Sequence, residues 1–147
     1  MTNRGVDIKN RKQRGEWAEM CFMARAAAHG LCVAKPYGDS APYDFAIEYQ
    51  GRFLRVQVKS TKYKRFGCYI CRVHTTSRPY RADQIDFVAA YVIPLDVWYM
   101  LPASAFQRKT QVCLSPHRKT SKYGRYREAW DLLKAKSSKS RAAAAGR

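Results

Sequence analysis

Acidic residues are scarce in this sequence. Only 11 Asp and Glu stand against 28 Lys and Arg among 147 residues, which gives a formal net charge of +17 at pH 7. No acid occurs between Glu48 and Asp83. Such an excess of positive charge favours a polyanionic partner, most commonly nucleic acid. Charge alone leaves open whether that partner is DNA or RNA, and a small basic structural protein of the ribosome-associated kind has the same composition.

Long apolar runs are also missing. No stretch approaches the roughly 20 apolar residues that a membrane-spanning helix requires, and the first residues, MTNRGVDIKNRKQRGEW, lack the apolar core of a signal peptide. We therefore expect an intracellular, cytoplasmic protein that does not associate with a membrane.

Cysteine is present in an odd number, five, which indicates reduced thiols and no disulfide framework in an intracellular protein. Cys68 and Cys71 have the spacing of one half of a zinc site, but no second pair with suitable spacing follows. On a strand, residues three apart also point to opposite faces. Cys113 and His117 form only a weak further pair. A structural zinc site, which needs four ligands, is not favoured.

The length suits one domain, which we predict over residues 1–136. It includes a basic helix at 123–136, and the basic tail 137–147 is predicted to be disordered because it is polar and of low complexity. The first clear element is a helix over 12–29, ended by Gly30. Residues at helical spacing predict its buried stripe, namely Trp17, Met20, Cys21, Ala24 and Ala28. This stripe places Glu16 beside the core and turns Glu19 further outward.

A hairpin over residues 42–61, PYDFAIEYQGRFLRVQVKST, is the most informative stretch. A two-residue turn at Gln50-Gly51 would join two alternating strands and set Asp44 directly opposite Gln57. Lys59 lies two residues beyond Gln57, so it shares that face. The other face is apolar and consists of Tyr43, Phe45, Ile47, Leu54, Val56 and Val58.

Further strands are predicted around the hairpin. Short strands are expected at 31–35 and, as an edge strand, at 111–114. Longer strands are expected at 68–73 and 97–101, and the apolar run 85–93 predicts a strand buried on both faces. Helical turns are expected at 80–84 and at 102–106.

The polar face of the hairpin carries a carboxylate, an amide and an ammonium group. A phosphodiester-cleaving site needs a divalent cation to polarise the phosphate and activate water, together with a positive group to orient that water or offset charge. Asp44, Gln57 and Lys59 supply these groups, and Glu16 could add a second carboxylate. The ordinary alternative is the solvated face of an antiparallel sheet, on which all three residue types are common.

The helix sequence GEWAE, the YD strand and the QVKST strand together resemble the PD-(D/E)xK nuclease superfamily. They are most similar to its group I intron-associated homing endonucleases, which have Gln-x-Lys in the second motif. The resemblance extends over about residues 14–106 and includes Tyr80 and the pair IDFVAAYV and WYMLP. It implies an α/β, restriction-endonuclease-like core: a helix, three strands, a second helix and a strand, in a mixed β-sheet flanked by helices.

The resemblance also implies site residues. Asp44 matches the metal-binding Asp, Gln57 and Lys59 match the second motif, and Glu16 matches the acid of the first helix. Asp44, Gln57 and Glu16 would hold Mg²⁺ or Mn²⁺, and Lys59 would act on the attacking water. Two departures are visible: Tyr43 replaces the motif's Pro, and Gln57 replaces an acid, which removes one negative charge from the metal site.

The expected substrate is DNA, cut by a site-specific, homing-type endonuclease located on the nucleoid when bound. Candidate phosphate contacts are Lys62, Lys64, Arg65, Arg78 and Arg81. A protomer of this size covers little DNA, so a homodimer or homotetramer is expected. Two alternatives remain: a Holliday junction-resolving or repair nuclease of the same fold, and a non-catalytic basic protein that binds DNA or RNA.

Overall fold

A five-stranded mixed sheet lies at the centre of the computed structural model, which describes residues 5–74, 78–81 and 83–135. The sheet has the strand order β1-β2-β3-β6-β7, and only its β3–β6 pair is parallel. A smaller antiparallel sheet has the order β4-β5-β8. The elements are α1 (Arg11–Ala28), β1 (Cys32–Ala34), β2 (Phe45–Tyr49), β3 (Arg52–Thr61), β4 (Lys64–Arg65), β5 (Cys68–Arg72), β6 (Phe87–Val92), β7 (Val97–Pro102) and β8 (Gln111–Leu114).

The central hairpin forms as predicted. Gln50 and Gly51 have φ values of 51° and 78°, the left-handed conformations of a tight two-residue turn. Tyr49 pairs with Arg52, and the ladder continues to Phe45 opposite Val56. Asp44 departs from it by one residue, because its amide donates to the Val56 carbonyl at 3.0 Å. The predicted direct pair of Asp44 with Gln57 is therefore not part of the regular ladder.

Helix α1 begins and ends close to the predicted residues. Asn10 caps its start by accepting a hydrogen bond from the Gln13 amide at 3.1 Å, and Gly30, at φ 78°, follows its end. The predicted buried stripe is wrong in part. The helix buries Ala18, Phe22 and Ala26, and Trp17 and Cys21 of the predicted stripe are only partly buried against the core. The other three residues of the predicted stripe are exposed, namely Met20, Ala24 and Ala28.

Two apolar clusters cover the two faces of the central sheet. On one face, Phe22 of α1 packs against Phe45, Trp98 and Trp130 with ring centroids 5.4–5.7 Å apart. On the other face, alternate residues of β6 and β7 pack with Tyr69, Cys71 and Val112 of the smaller sheet and belong to the second cluster; they are Val88, Ala90, Val92, Val97, Tyr99 and Leu101. Since side chains alternate along a strand, these clusters fix which residues of β3 face α1.

The strand buried on both faces is confirmed as β6, which lies between β3 and β7. The third predicted strand forms as β5 but belongs to the smaller sheet. The described residues of 80–84 contain a turn and no helix, and a short 3-10 helix forms at Ala103–Ala105. The mixed sheet is thus flanked by a single α-helix within the described ranges.

The predicted C-terminal helix at 123–136 is wrong. Two 3-10 turns form there instead, Gly124–Tyr126 and Trp130–Leu133. Glu128 lies between them with φ 50°, which no α-helix allows. Its amide donates to the Trp98 carbonyl at 2.7 Å, and its carboxylate accepts from the Trp98 amide and the Trp130 indole. The segment therefore packs along β7 and does not form an α-helix.

The expectation of reduced thiols is wrong for one pair. Cys68 of β5 and Cys113 of β8 form a disulfide, with Cα atoms 5.7 Å apart. The two strands are direct neighbours, and this separation is ordinary for a disulfide. The sequence gives no sign of it because 45 positions separate the two residues. The other cysteines, Cys21, Cys32 and Cys71, are free thiols.

Two further expectations concern the chain as a whole. Among the described residues, no helix is long and apolar enough to cross a membrane. The tail predicted to be disordered, 137–147, lies outside the described residues, as does Lys136.

Candidate active site

A cavity of about 450 Å³ opens where the chain enters β2. Three segments line it: helix α1, the loop that precedes β2, and the middle of β3. Its polar lining groups come from Arg11, Lys12, Glu16, Glu19, Lys35, Asp39, Tyr43, Asp44 and Gln57. The structure therefore brings three predicted site residues, Glu16, Asp44 and Gln57, to one cavity and adds Glu19, whereas Lys59 is not among the lining residues.

Two carboxylates meet in this cavity. Glu19 extends from α1 and its carboxyl group hydrogen-bonds Asp44. Burial, followed by the negative charge of Asp44 and this hydrogen bond, raises the pKa of Glu19 to about 7. Lys35 forms an ion pair with Glu19 at 3.8 Å, but its side chain is 60% exposed, so it offsets this repulsion only weakly.

The backbone of β3 holds the Asp44 carboxylate in place. One of its oxygens, Oδ2, accepts a hydrogen bond from the Val58 amide at 2.8 Å. The Asp44 amide in turn donates to the Val56 carbonyl. Asp44 is thus bonded to the residues on either side of Gln57 and is fixed beside it, even though the two are not a regular ladder pair.

Lys59 lies on the same sheet face as Gln57, as predicted. Its register partner on β6 is Ala90 and that of Gln57 is Val88, and both partners belong to the cluster on the face away from α1. The Lys59 ammonium lies 5.8 Å from the ring centroid of Tyr80.

Tyr80 lies near both Lys59 and Asp44. Its pKa is raised by burial and then by the negative charge of Asp44. The Asp44 charge therefore acts on the ring beside which the Lys59 ammonium lies. Neighbouring Cys71 is a fully buried thiol whose pKa burial raises to about 12, although the charge of Lys59 opposes the rise.

Glu19 is the site residue that the sequence reasoning missed. The predicted helix stripe turned Glu19 outward and placed Glu16 over the sheet, whereas in the structure Glu16 is exposed and the Glu19 side chain is only 23% exposed. The actual stripe runs through Ala18, Phe22 and Ala26, and Glu19 lies three residues before Phe22. A stripe centred on Phe22, the large apolar residue of this helix segment, would have predicted that Glu19 faces the sheet.

The donor set suits a hard divalent cation. Two carboxylates and an amide oxygen are the ligands that Mg²⁺ accepts, with water completing its coordination. A cation at this point would relieve the repulsion that now raises the pKa of Glu19. Among the residues that the structure describes, no group of three or more His, Cys, Asp and Glu is arranged to hold a metal, so the candidate site depends on Gln57 as well as on the two acids.

The predicted phosphate contacts fall into two groups. Lys64 and Arg65 form the exposed strand β4, and Lys62 directly precedes it. Arg78 and Arg81 lie beyond β5 and are exposed, and Arg81 forms an exposed ion pair with Asp83 at 3.3 Å. The first group adjoins β3, the strand that carries Lys59.

Comparisons with known proteins identify the family of this chain. A family model described as PD-(D/E)XK endonuclease matches residues 9–133. The solved structure of a bacterial homing endonuclease, I-Ssp6803I, superposes with a TM-score of 0.73 and 31% sequence identity, covering 84% of this chain and 93% of the other. A search of curated proteins gives no significant match. The resemblance and the restriction-endonuclease-like α/β fold are thereby confirmed. The chain belongs to the PD-(D/E)XK endonuclease family and is an endonuclease, a hydrolase that acts on DNA.

Proposed function

We propose that this endonuclease is Mg²⁺-dependent and cuts DNA at specific sites, in the manner of a homing endonuclease. The observation that carries the proposal is the meeting of Glu19 and Asp44 in one cavity, where burial and then the negative charge of Asp44 raise the pKa of Glu19 to about 7. Two neighbouring carboxylates repel each other and do not stabilise a fold. Acids with shifted pKa values in a cleft are typical of functional sites. The similarity to a bacterial homing endonuclease supports the site-specific type.

Asp44, Glu19 and the side-chain oxygen of Gln57 would hold the ion, Mg²⁺ or Mn²⁺. Glu16, at the rim of the same cavity, would contribute negative charge or a water-mediated contact. When bound, the ion supplies charge stabilisation at the phosphate and an activated water. Because Gln57 is neutral, this site has one negative charge fewer than a site with three acids, and it should bind the ion more weakly.

Lys59 would act on the phosphate side of the site. Its ammonium group is held near Tyr80, which limits where it can point. From this position it would orient the attacking water, help to remove its proton, and offset charge that develops on the phosphate.

DNA would reach the site along the basic surface next to β3. Lys62, Lys64 and Arg65 are the principal candidates for phosphate contacts, with Arg78 and Arg81 further along the chain. We propose a homodimer or homotetramer, because a single protomer of this size spans too little duplex to read a long site. Such a substrate places the activity inside the cell, on the nucleoid.

The test is cleavage of supercoiled plasmid by purified protein with Mg²⁺, with Mn²⁺ and with EDTA. We expect cleavage with either ion, none with EDTA, and a loss of at least about 100-fold in rate for Lys59→Ala. Lys119→Ala is the matched control, since it removes an exposed ammonium that neither lines the cavity nor belongs to the candidate phosphate contacts. Cleavage in EDTA, or wild-type rates for Lys59→Ala, would refute the proposal.

A second assay addresses specificity. Discrete fragments from linear DNA would support a site-specific enzyme. Cleavage confined to four-way junctions would indicate a junction-resolving nuclease instead, and salt-sensitive binding without any cleavage would indicate a non-catalytic binding protein.

A further inference from the structure

The hairpin that joins β4 to β5 has an aromatic residue at its tip. Arg65 pairs with Cys68, so Phe66 and Gly67 form a two-residue turn, with φ values of 51° and 79°. Positive φ at both positions defines the type I′ class, in which Asn or Asp normally precedes Gly. Phe66 occupies the position that Asn normally takes.

Phenylalanine is a costly choice at this position. A bulky residue at positive φ is a true outlier, and such backbone strain costs on the order of 1–3 kcal/mol. Burial does not offset this cost, since Phe66 is 92% exposed. Strain together with exposure of a large apolar ring indicates a residue retained for what it contacts outside the chain.

Cations and a second exposed aromatic ring surround Phe66, and they indicate the kind of partner that it contacts. The Arg65 guanidinium lies 5.4 Å from the Phe66 ring centroid, and Lys62 lies 5.1 Å from the ring of Tyr63, which is itself 70% exposed. No acid occurs in the sequence from residue 49 to residue 82. Exposed aromatic rings set among cations are the combination that binds nucleic acid, because bases stack on the rings while the cations contact phosphates.

We propose that Phe66 is a wedge that inserts against a base step of the bound duplex, close to the scissile phosphate. This inference rests on the proposed function for its substrate. The tip lies seven residues after Lys59, so the chain limits their separation to about 25 Å. That distance is less than one turn of B-DNA, about 34 Å. The wedge would unstack or kink the duplex beside the site and fix the position of the cut.

A second copy of the chain is the competing occupant of this tip. It is disfavoured by charge, because each copy carries +17 overall and this hairpin is basic on both sides of the turn. Duplex DNA is complementary to the same surface.

The decisive variant is Phe66→Asn, which restores the usual Asn-Gly turn. We expect it to unfold at the same denaturant concentration as the wild type or a higher one, while its affinity for DNA falls about tenfold, the loss of one stacked ring. Phe66→Trp should keep the affinity. Phe53→Asn is the matched control: Phe53 is also a largely exposed phenylalanine (63%), but it lies at the opposite end of β3.

Affinity and base unstacking would be measured with short random-sequence duplexes that carry 2-aminopurine at several positions, in Ca²⁺ to prevent cleavage. Wild type and Phe66→Trp should raise the 2-aminopurine fluorescence, and Phe66→Asn should not. Affinity and fluorescence equal to wild type in Phe66→Asn would overturn the proposal. So would a change in oligomer mass in Phe66→Asn without loss of affinity per protomer, since that result assigns the tip to self-association.

This experiment also separates the wedge from the proposed function. If the wild type binds and unstacks DNA but never cleaves it, the Mg²⁺-dependent nuclease proposal fails and the wedge stands. If it cleaves DNA and Phe66→Asn binds normally, the wedge fails and the nuclease stands.

Discussion

Two acidic centres involve the same helix and are built in opposite ways. Glu19 and Arg25 of α1 are six residues apart, about 9 Å along the helix axis. Asp96 at the second centre accepts two hydrogen bonds from Arg25 at 3.0–3.1 Å and one from the Tyr91 hydroxyl at 2.6 Å. Glu19 at the first centre faces another acid, Asp44, and its ion pair with the exposed Lys35 is longer, at 3.8 Å.

The pKa values of the two acids shift in opposite directions. Burial raises the pKa of Glu19 and Asp44 raises it further. Burial would also raise the pKa of Asp96, but the hydrogen bonds from Tyr91 and Arg25 outweigh it and leave that pKa lowered. Asp96 thus has a cation and a hydroxyl as close partners. Glu19 and Asp44, which we assign to the metal, face each other and have only an exposed ion pair to Lys35 and one backbone amide besides. The predictions below test this division.

The largest expected effect is on cleavage by Asp44→Asn. The amide can still accept the Val58 hydrogen bond, so we expect normal folding, but the charge is lost and cleavage with Mg²⁺ should fall by at least about 1,000-fold. Plasmid cleavage rates measure it. Asp39→Asn is the control, because Asp39 lines the same cavity from the preceding loop and should stay within about threefold of wild type. Comparable losses in both variants would contradict the assignment.

The next effect distinguishes the two acids of the helix. Glu19→Gln should lower the cleavage rate by about 100-fold, since it removes a charged ligand. Glu16→Gln should lower it by less than about tenfold, because Glu16 is exposed at the rim. Parallel rate measurements over a range of Mg²⁺ concentrations test this order. If Glu16→Gln lowers the rate more than Glu19→Gln does, Glu16 is the helix acid that serves the site, as the sequence predicted.

The third prediction concerns the structural centre. Asp96→Asn keeps a residue that tolerates φ 52° but leaves Arg25 and Tyr91 without their charged acceptor. We expect a loss of about 1–3 kcal/mol in the free energy of unfolding, with cleavage retained below the melting transition. Urea denaturation measures the loss. Unchanged stability together with lost cleavage would reverse the roles of the two centres.

The smallest effect is the pH dependence of stability without metal. Glu19 has a raised pKa in the folded state, so between about pH 4.5 and pH 7 the folded state binds more protons than the unfolded one. Its contribution to stability therefore declines as pH rises through this window, by about 1–3 kcal/mol in total. Denaturation of wild type and Glu19→Gln at pH 5 and pH 8 isolates this term. An identical pH dependence in the two proteins would show that Glu19 does not titrate in this range.

The sequence was sufficient to predict the parts of the fold that short-range rules govern. The Gln50-Gly51 turn sets the hairpin register, and the nearly continuous apolar run identifies β6 as a strand buried on both faces. Both depend on the chemistry of neighbouring residues. The mixed sheet followed from the family resemblance and is confirmed.

The remaining features depend on contacts between distant segments. Helix α1 offers Trp17, Met20 and Phe22 as competing stripe residues, and packing against Phe45 and Trp98 decides for Phe22. That rotation of the helix is why Glu19 escaped prediction.

Long-range contacts also explain two further errors, the C-terminal helix and the disulfide. The segment after Tyr123 has the periodicity of a helix, but Glu128 is held at positive φ by its bonds to Trp98. The disulfide follows from the pairing of β5 with β8, which no local pattern reveals.

The most direct test of the central claim is proton release when Mg²⁺ binds. Titration of the protein with Mg²⁺ at about pH 6.5, in two buffers of different ionisation enthalpy, counts the protons released by calorimetry. If Glu19 and Asp44 hold the ion, the wild type should release a large fraction of one proton, close to the amount by which Glu19 is protonated at that pH. Glu19→Gln should release none. Mg²⁺ binding with no proton release in the wild type, or with equal release in Glu19→Gln, would contradict the claim that this pair of carboxylates is the metal site.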